Sequence, residues 1–375
     1  MIVNLIISIL LSLLSVLPFQ NNKKLEKVII IVITVILGLY YRLTTSDWVA
    51  YRLLYEEVLP KLSLELIVNS RLIFNMDRGF VILSYFFYNL GISYNIFQSF
   101  ILVSCIFYIL YFLKEKKGNF YIAIIFLLSN FFNLYISEPI LRQLIAITIV
   151  MFGIYYIEKK LFLKYLLIIL IAAQFHLSAV ICMFFYLFNF IKINLNRSIL
   201  IFIVSFLLFS NIEILFKGVT LVFPSLSHYY TYIEYNNIVD KSVFTYIRIV
   251  FLIIIYILCL RNKPNNIYTG LTLVYLVLVI NKDKLFLLGR LDGYFLIPAA
   301  IYFSNIDKYF IKILFNFFNI LLLCYYLSLN KNSLEYKNYL IVLLKGKNSN
   351  EYIQKEKSYR SIKKEVYRAI SSISK

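Results

Sequence analysis

The chain has 375 residues, of which 61% are hydrophobic and 15% are charged, and its formal net charge is +19. Soluble domains carry roughly 45–50% apolar and about 25% charged residues, so this composition excludes an ordinary soluble fold. A soluble protein this basic would suggest a nucleic-acid partner. Basic loops that set membrane topology and touch anionic lipid explain the charge better, and no nucleic-acid partner is expected.

The apolar residues form nearly charge-free blocks along the chain. The blocks are residues 1–19, 28–41, 96–113, 120–136, 141–157, 161–175, 177–191, 198–216, 243–260 and 267–280, with more after residue 294. Backbone amides in hydrocarbon are satisfied only in helices or closed barrels, and barrel strands alternate apolar and polar residues, which these blocks do not. The sequence therefore predicts an all-α, polytopic integral membrane protein with roughly 10–13 transmembrane helices.

Basic clusters indicate which side of the membrane each loop occupies, because such clusters favour the cytoplasm. The clusters lie at residues 23–27, 114–117, 159–160, 192–197 and 261–263. The loops then predicted on the outer side are residues 42–78, 137–143, 174–176, 217–242 and 281–292. This orientation requires the short block 79–91 to be re-entrant or interfacial rather than a full crossing.

Two regions follow from this pattern. Residues 1–330 are expected to form a single transmembrane helical domain. Residues 331–375 are expected to form a basic cytoplasmic tail, for which an amphipathic helix lying on the membrane and a solvated segment are equally weighted interpretations.

A polar stretch after the second apolar block combines Arg42, Asp47, Trp48 and Tyr51. The spacing Thr44-x-x-Asp47 is typical of a helix start, and Asp47 and Tyr51 then share one helix face. An aspartate beside aromatic rings suits a sugar, because carboxylates bind hydroxyl groups and aromatic faces stack on sugar rings. The alternative is that Asp47 only caps the helix and Trp48 only anchors it at the interface. These residues alone favour that alternative.

Arg142 and Gln143 follow Pro139, which fits the first turn of a helix capped by Glu138 or Ser137. Arg142 then lies beside the N–H groups at the positive end of the helix, which form an anion site at the membrane surface. Its planar guanidinium suits a phosphate or diphosphate. Snorkelling towards lipid headgroups is the equally weighted alternative.

Further candidates lie on the predicted outer side. His176 separates two apolar blocks and is a candidate general base, although a lone histidine more often has a structural hydrogen-bonding role. Arg290 and Tyr294 lie one helical turn apart. Arg290 either pairs with Asp292 or Asp283 or binds a phosphate. The sequence contains no CxxC or HExxH motif, so neither a metal nor another cofactor is expected.

Taken in chain order, these motifs resemble the EpsG family, the Wzy-like polymerases of bacterial exopolysaccharide, capsule and O-antigen. The resemblance runs from about residue 42 to residue 294. It differs at Ser46, where the family usually has Gly, and at Asp77-Arg78, where the family has Glu-Pro. The matching residues are Arg42 with Asp47, Trp48 and Tyr51; Asp77 with Gly79 and Phe80; Arg142, Gln143 and Ala146; Phe175, His176, Ser178 and Ala179; and Arg290 with Tyr294.

The resemblance implies an enzyme of the bacterial cytoplasmic (inner) membrane, a glycosyltransferase-type polymerase. Such an enzyme transfers a glycan from an undecaprenyl-diphosphate-linked donor to a hydroxyl of another lipid-linked repeat unit on the outer face. The expected partners are this lipid-linked oligosaccharide, membrane lipid, and assembly proteins such as a flippase and a chain-length regulator.

Roles for individual residues follow from the same resemblance. Arg142 and Arg290 are expected to clamp the diphosphate. His176 or Asp47 is expected to activate the acceptor hydroxyl. The other expected substrate-binding residues are Gln143, Trp48, Tyr51, Arg42 and Tyr294.

Two other functions are alternatives. A flippase or transporter of the same lipid-linked unit would carry charges deep along a central cavity. Here most charges lie at the ends of the apolar blocks, which disfavours that class. A membrane acyltransferase that modifies the glycan would depend on His176 alone.

Overall fold

Helices account for the secondary structure throughout the described part of the chain. The computed structural model describes residues 2–17, 22–38, 46–61, 77–132, 140–210, 243–261, 265–281 and 286–329. Within these ranges there is no β-strand, so the predicted all-α fold class is confirmed. The predicted tail at residues 331–375 lies outside them.

The helices follow the predicted apolar blocks in order. The first are α1 (Ile2–Val16), α2 (Lys23–Gly38), α3 (Ser46–Leu53), α4 (Arg78–Asn89), α5 (Tyr94–Lys114) and α6 (Phe120–Leu127). The second set comprises α7 (Leu141–Glu158), α8 (Phe162–Ala173), α9 (Leu195–Ser210), α10 (Val243–Leu260), α11 (Asn266–Asn281), α12 (Phe286–Phe303) and α13 (Tyr309–Leu329). Four irregular segments accompany them in the described ranges. Two are π-helical turns that continue α3 and α6, Leu54–Val58 and Leu128–Phe132, and two are 3-10 helices, Leu59–Lys61 and, between α8 and α9, Leu177–Asn189.

The outward faces of several helices are apolar. Leu163 in α8 is 77% exposed and Phe310 in α13 is 73% exposed. Water-soluble proteins rarely expose broad apolar surfaces, so these faces suit lipid. By length and composition α5 and α7 are sufficient to cross a membrane, and apolar helices of 10–17 residues accompany them. The fold is that of an all-α polytopic membrane protein, and the number of crossings stays a prediction.

Helix α4 corresponds to the short block that the sequence analysis set apart. It has 12 residues, and a helix of that size is about 18 Å long, compared with a hydrocarbon core of roughly 30 Å. Its length agrees with a re-entrant or interfacial segment, and its position relative to the membrane stays a prediction.

Helix α6 lies in the interior of the bundle. All of its residues are buried, and it packs against α1, α12 and α13. Helix α7 packs against α5 and α8, and α11 packs along α12. A helix that is apolar on all sides belongs in such an interior position.

A polar network crosses this apolar interior where α6, α10, α11 and α13 meet. Asn319 Oδ1 accepts from Ser129 Oγ at 2.7 Å and from Asn130 Nδ2 at 3.3 Å. Arg248, only 7% exposed, donates through Nη2 to Asn130 Oδ1 and to Tyr275 Oη. Interhelical hydrogen bonds of this kind hold membrane helices together. Arg248 was not among the predicted site residues, and it is a charge inside an apolar block rather than at its end.

Two glycines with positive φ differ in their surroundings. Gly118, in the turn between α5 and α6, has a φ of +134°, and a Cβ there would clash with Ser304 Oγ. The next residue, Asn119, donates its N–H to the Ser304 carbonyl at 2.9 Å. Gly91 has a φ of +71°, and no atom lies within 4 Å of its Cβ position.

We therefore expect Gly118→Ala to destabilise the protein more than Gly91→Ala. Both substitutions introduce backbone strain of roughly 1–2 kcal/mol, but only the first also displaces a packed contact between α12 and the turn before α6. Thermal unfolding of the purified protein in detergent compares the two variants. Equal transition temperatures would contradict the close packing at Gly118.

Candidate functional site

Arg142 lies in the first turn of α7, where the sequence analysis expected an anion site. Its Nη1 donates to Asp77 Oδ2 at 2.9 Å, and its Nε donates to Tyr51 Oη at 3.2 Å. The centroid of the Tyr51 ring lies 5.6 Å from the guanidinium carbon, which is within cation–π distance. We call these three residues the Arg142 cluster. The guanidinium is held by a carboxylate and by an aromatic ring.

The predicted position of Arg142 is confirmed, but the predicted cap of its helix is wrong. The residue that precedes α7 is Ile140, and it makes no side-chain capping hydrogen bond. Pro139, Glu138 and Ser137 lie outside the described residues. A helix without a side-chain cap leaves its first N–H groups to other acceptors, which is the property that suits an anion.

Asp77 connects the starts of three elements. It precedes α4 in an extended conformation and makes no capping hydrogen bond to that helix. Its carboxylate instead accepts hydrogen bonds from Arg142 and from the backbone N–H of Leu177, the first residue of the 3-10 helix. Burial raises the pKa of the Asp77 carboxyl above its ordinary value, although Arg142 and the Leu177 N–H act in the opposite direction.

The start of α4 also contacts the turn that carries His176. The Gly79 N–H donates to the Gln174 carbonyl at 2.8 Å, and a Cβ on residue 79 would lie 2.8 Å from the same oxygen. Only glycine permits so close an approach of two backbones. This contact places the His176 turn next to Asp77.

His176 lies in extended backbone immediately before the 3-10 helix. Its Nδ1 is 2.6 Å from Ser178 Oγ, and the same hydroxyl oxygen is 3.1 Å from Tyr294 Oη in α12. Tyr294 is fully buried, at 0% exposure. We call these three residues the His176 cluster. They form a chain of polar groups from the bundle interior to the imidazole.

The structure places four of the predicted site residues in these two clusters, and the bond from the Leu177 N–H to Asp77 joins the clusters. The four residues are Tyr51, Arg142, His176 and Tyr294. Gln143 is buried and follows Arg142 in the first turn of α7.

The other predicted site residues are described only in part. The backbones of Asp47 and Trp48 lie in α3, and that of Arg290 lies in α12, one turn before Tyr294 as expected. Their side chains lie outside the described part of the structure, and so does the whole of Arg42. The roles assigned to these residues stay predictions.

The predicted site residues did not include Asp77 or Ser178, although both belong to motifs of the family resemblance. Asp77 is 65 residues from Arg142 along the chain, and Ser178 is 116 residues from Tyr294. Because the contacts are this distant in sequence, no local pattern predicts them. The available signals were an acidic residue before Gly79 and a hydroxyl residue two positions after His176.

The chemistry of the two clusters suits an anion next to a hydroxyl-bearing group. Arginine binds phosphate and carboxylate groups through paired N–H donors. The imidazole and hydroxyl groups of the His176 cluster are connected to Arg142 through Asp77, which accepts from both Arg142 and the Leu177 N–H. In the ranges that the structure describes, no group of three or more His, Cys, Asp or Glu side chains is placed to hold a metal ion.

The fold and these clusters define the protein as a helical membrane protein with an Arg–Asp–His polar site. The sequence profile of the EpsG family matches residues 4–342, nearly the whole chain, and the chain belongs to the EpsG family. Membership implies an exopolysaccharide-polymerase-like function, a glycosyltransferase-like reaction and a lipid-linked polysaccharide substrate in the membrane. No curated protein and no solved structure matches the chain.

The ion pair of Asp77 and Arg142 joins residues 65 positions apart and should contribute more to stability than an i,i+4 pair within one helical segment. Their side chains are 19% and 21% exposed. A double-mutant cycle with Asp77→Asn and Arg142→Gln should therefore give an interaction free energy of roughly 1–3 kcal/mol, measured by unfolding in a denaturing detergent.

The matched control is the pair of Arg52 and Glu56, which lie four residues apart with side chains 17% and 34% exposed. Pairs of this type contribute about 0.3–0.5 kcal/mol. An equal or larger interaction free energy in the control cycle would contradict a structural role for Asp77 at the site.

Proposed function

We propose that this protein is the polymerase of a bacterial surface polysaccharide, such as an exopolysaccharide, a capsule or an O-antigen. It transfers a glycan from an undecaprenyl-diphosphate-linked donor to the hydroxyl of another lipid-linked repeat unit. The reaction takes place on the outer face of the cytoplasmic membrane, which the chain crosses several times. The observation that carries the proposal is the position of Arg142, an oriented guanidinium in the first turn of α7.

Arg142 provides the electrostatic part of the reaction. Negative charge develops on the diphosphate as the bond from the sugar to the diphosphate breaks, and an oriented guanidinium stabilises that charge without a metal. Contacts with Asp77 and Tyr51 set the orientation of the guanidinium before the substrate arrives. Arg290 is the proposed second ligand of the diphosphate.

The acceptor hydroxyl must lose a proton as the new glycosidic bond forms. His176 and Asp47 are the two proposed bases. The link through Asp77 supports a position for His176 near the diphosphate that Arg142 binds. The glycan is proposed to contact Gln143, Trp48, Tyr51 and Arg42. The fully buried Tyr294 is proposed to act on the site through its hydrogen bond to Ser178.

The proposed partners are the assembly proteins that act before and after chain extension. A flippase delivers the lipid-linked unit to the outer leaflet, and a chain-length regulator limits the number of units that are joined.

A flippase for the same lipid-linked unit is the second candidate function, because Arg248 is a charge buried inside the bundle. Such charges are typical of transport paths. In a deletion strain, lipid-linked single units accumulate on the outer leaflet if the protein is the polymerase. Accumulation on the inner leaflet would instead support the flippase.

Arg142→Lys should abolish chain extension while the protein still inserts in the membrane. Lysine keeps the positive charge but replaces the planar set of donors with a single ammonium group, which cannot make the paired contact with a diphosphate. Polymer length on a gel measures the effect. The control is Arg197→Lys, because Arg197 is exposed on the predicted cytoplasmic side and should tolerate the change. Normal polymer length in Arg142→Lys would remove Arg142 from the site.

Single cysteines at positions 47, 142, 176 and 290, and at position 228 in the predicted outer loop 217–242, should react with a membrane-impermeant thiol reagent added from outside. The background needs Cys324→Ser, because Cys324 is exposed whereas Cys105, Cys182 and Cys259 are buried. A cysteine at position 197 is the control and should react only after the membrane is opened. The proposed outer-face site is wrong if positions 142 and 176 react only from the cytoplasmic side.

A further inference from the structure

The His176 cluster restricts where the imidazole carries its proton. Ser178 Oγ lies 2.6 Å from His176 Nδ1 and 3.1 Å from Tyr294 Oη. Distances between heavy atoms do not locate hydrogen atoms, so the direction of each bond has to be assigned from the donors and acceptors of the whole chain of groups.

The direction of hydrogen bonding can be assigned at Tyr294, the buried end of this series of three polar groups. Its side chain is 0% exposed, so its hydroxyl has no access to bulk water. A buried hydroxyl donor that lacks an acceptor is strongly disfavoured. In the described part of the protein, the hydrogen-bond partner of Tyr294 Oη is Ser178 Oγ. The phenolic proton therefore points towards Ser178.

The orientation of the Tyr294 hydroxyl then determines the orientation of the Ser178 hydroxyl. Because its oxygen accepts the bond from Tyr294, its own proton is directed to the other near atom, His176 Nδ1. A nitrogen that accepts a hydrogen bond carries no proton, and in a neutral imidazole the proton is then on Nε2.

Counting protons supports the same assignment. With the proton of His176 on Nε2, two hydroxyl protons serve the two hydrogen bonds of the cluster. With the proton on Nδ1, three protons compete for two bonds, and one hydroxyl proton needs a third acceptor that the described contacts of Ser178 and Tyr294 do not include.

We propose that Tyr294 and Ser178 are positioning residues that hold neutral His176 with its proton on Nε2, so that the imidazole is a hydrogen-bond donor and not a base. This role rests on the proposed function. His176 Nε2–H donates to the diphosphate of the donor substrate and keeps its proton throughout. Of the two proposed bases, Asp47 is then the one that acts.

With this assignment, the proposed reaction consists of one bond formed, one bond broken and one proton transferred. The acceptor oxygen forms a bond to the anomeric carbon, and the bond from that carbon to the diphosphate oxygen breaks with its electron pair on the diphosphate. The acceptor proton moves to the Asp47 carboxylate. Arg142 and the Nε2–H of His176 stabilise the added negative charge on the lipid diphosphate.

Nitrogen NMR tests the protonation state directly. The chain contains only two histidines, His176 and His228, so full-length protein labelled with 15N-histidine in lipid bilayers gives two sets of ring signals. A His228→Gln variant assigns them. The ring nitrogen coupled to both Hδ2 and Hε1 is Nε2. At a pH where the imidazole is neutral, Nε2 of His176 should be protonated and Nδ1 should not.

The variants Ser178→Ala and Tyr294→Phe provide the comparison, because both remove a hydroxyl from the chain of groups. Each should shift the His176 signals towards a mixture of the two neutral forms. A proton on Nδ1 in the unmodified protein, or an equal mixture there, would overturn the proposal. This measurement needs no activity, so its outcome is independent of the proposed function.

Polymer synthesis in membranes tests whether His176 acts as a hydrogen-bond donor through Nε2. His176→Gln places an amide N–H near the position of Nε2 and should keep activity within about tenfold of the unmodified protein, the loss expected for one weakened hydrogen bond. His176→Asn places its amide near Nδ1 and should lose chain extension. Gel filtration of each variant reports folding.

The assignment of His176 as a hydrogen-bond donor is wrong if His176→Gln folds but is as inactive as His176→Asn. Ser178→Ala should lower polymer synthesis, whereas Ser178→Thr keeps a hydroxyl and should retain most of it. Absence of polymer synthesis by the unmodified protein would instead overturn the proposed function, and the NMR result would still decide the protonation state.

Discussion

The carboxylate of Asp77 is the interaction on which the candidate site depends. It accepts a hydrogen bond from Arg142 in α7 at 2.9 Å and another from the backbone N–H of Leu177. One side chain therefore fixes the start of α7 relative to α4 and to the turn that carries His176. Loss of Asp77 would leave the charge of Arg142 uncompensated. It would also remove the acceptor of the Leu177 N–H, which connects the Arg142 cluster to the His176 cluster.

Irregular helical segments carry much of the polar chemistry. The π-helical turn after α3 holds Tyr55, which donates to the Ile92 carbonyl at 2.7 Å, and the turn after α6 holds Ser129 and Asn130. In hydrocarbon, backbone that departs from the α-helix is tolerated only where protein surrounds it. A π-helical turn re-aims the side chains that follow it, and such turns are frequent at functional sites. In this protein they direct polar groups into an apolar interior.

The sequence predicts the helices better than it predicts the contacts between them. Apolar blocks locate helices because hydrocarbon requires both apolar side chains and internal backbone bonds. The 3-10 helix was not predicted, because residues 177–189 are almost uniformly apolar and give no periodic contrast. Its buried residues Ala179, Cys182 and Phe185 recur every three positions, which is the period of a 3-10 helix. The partners of Asp77 and of Arg248 depend on tertiary packing, so local patterns do not predict them.

An uncharged donor suits the position of His176. The resting Arg142 is already balanced by Asp77, so the described part of the site adds little net charge at the membrane boundary. A charged imidazole would add a second positive charge to this partly buried site whenever substrate is absent, whereas a neutral Nε2–H adds none. It still forms a strong hydrogen bond once an anion arrives. The proposed base, Asp47, lies one helical turn before Tyr51, so α3 carries both the residue that accepts the proton and the ring that orients the arginine.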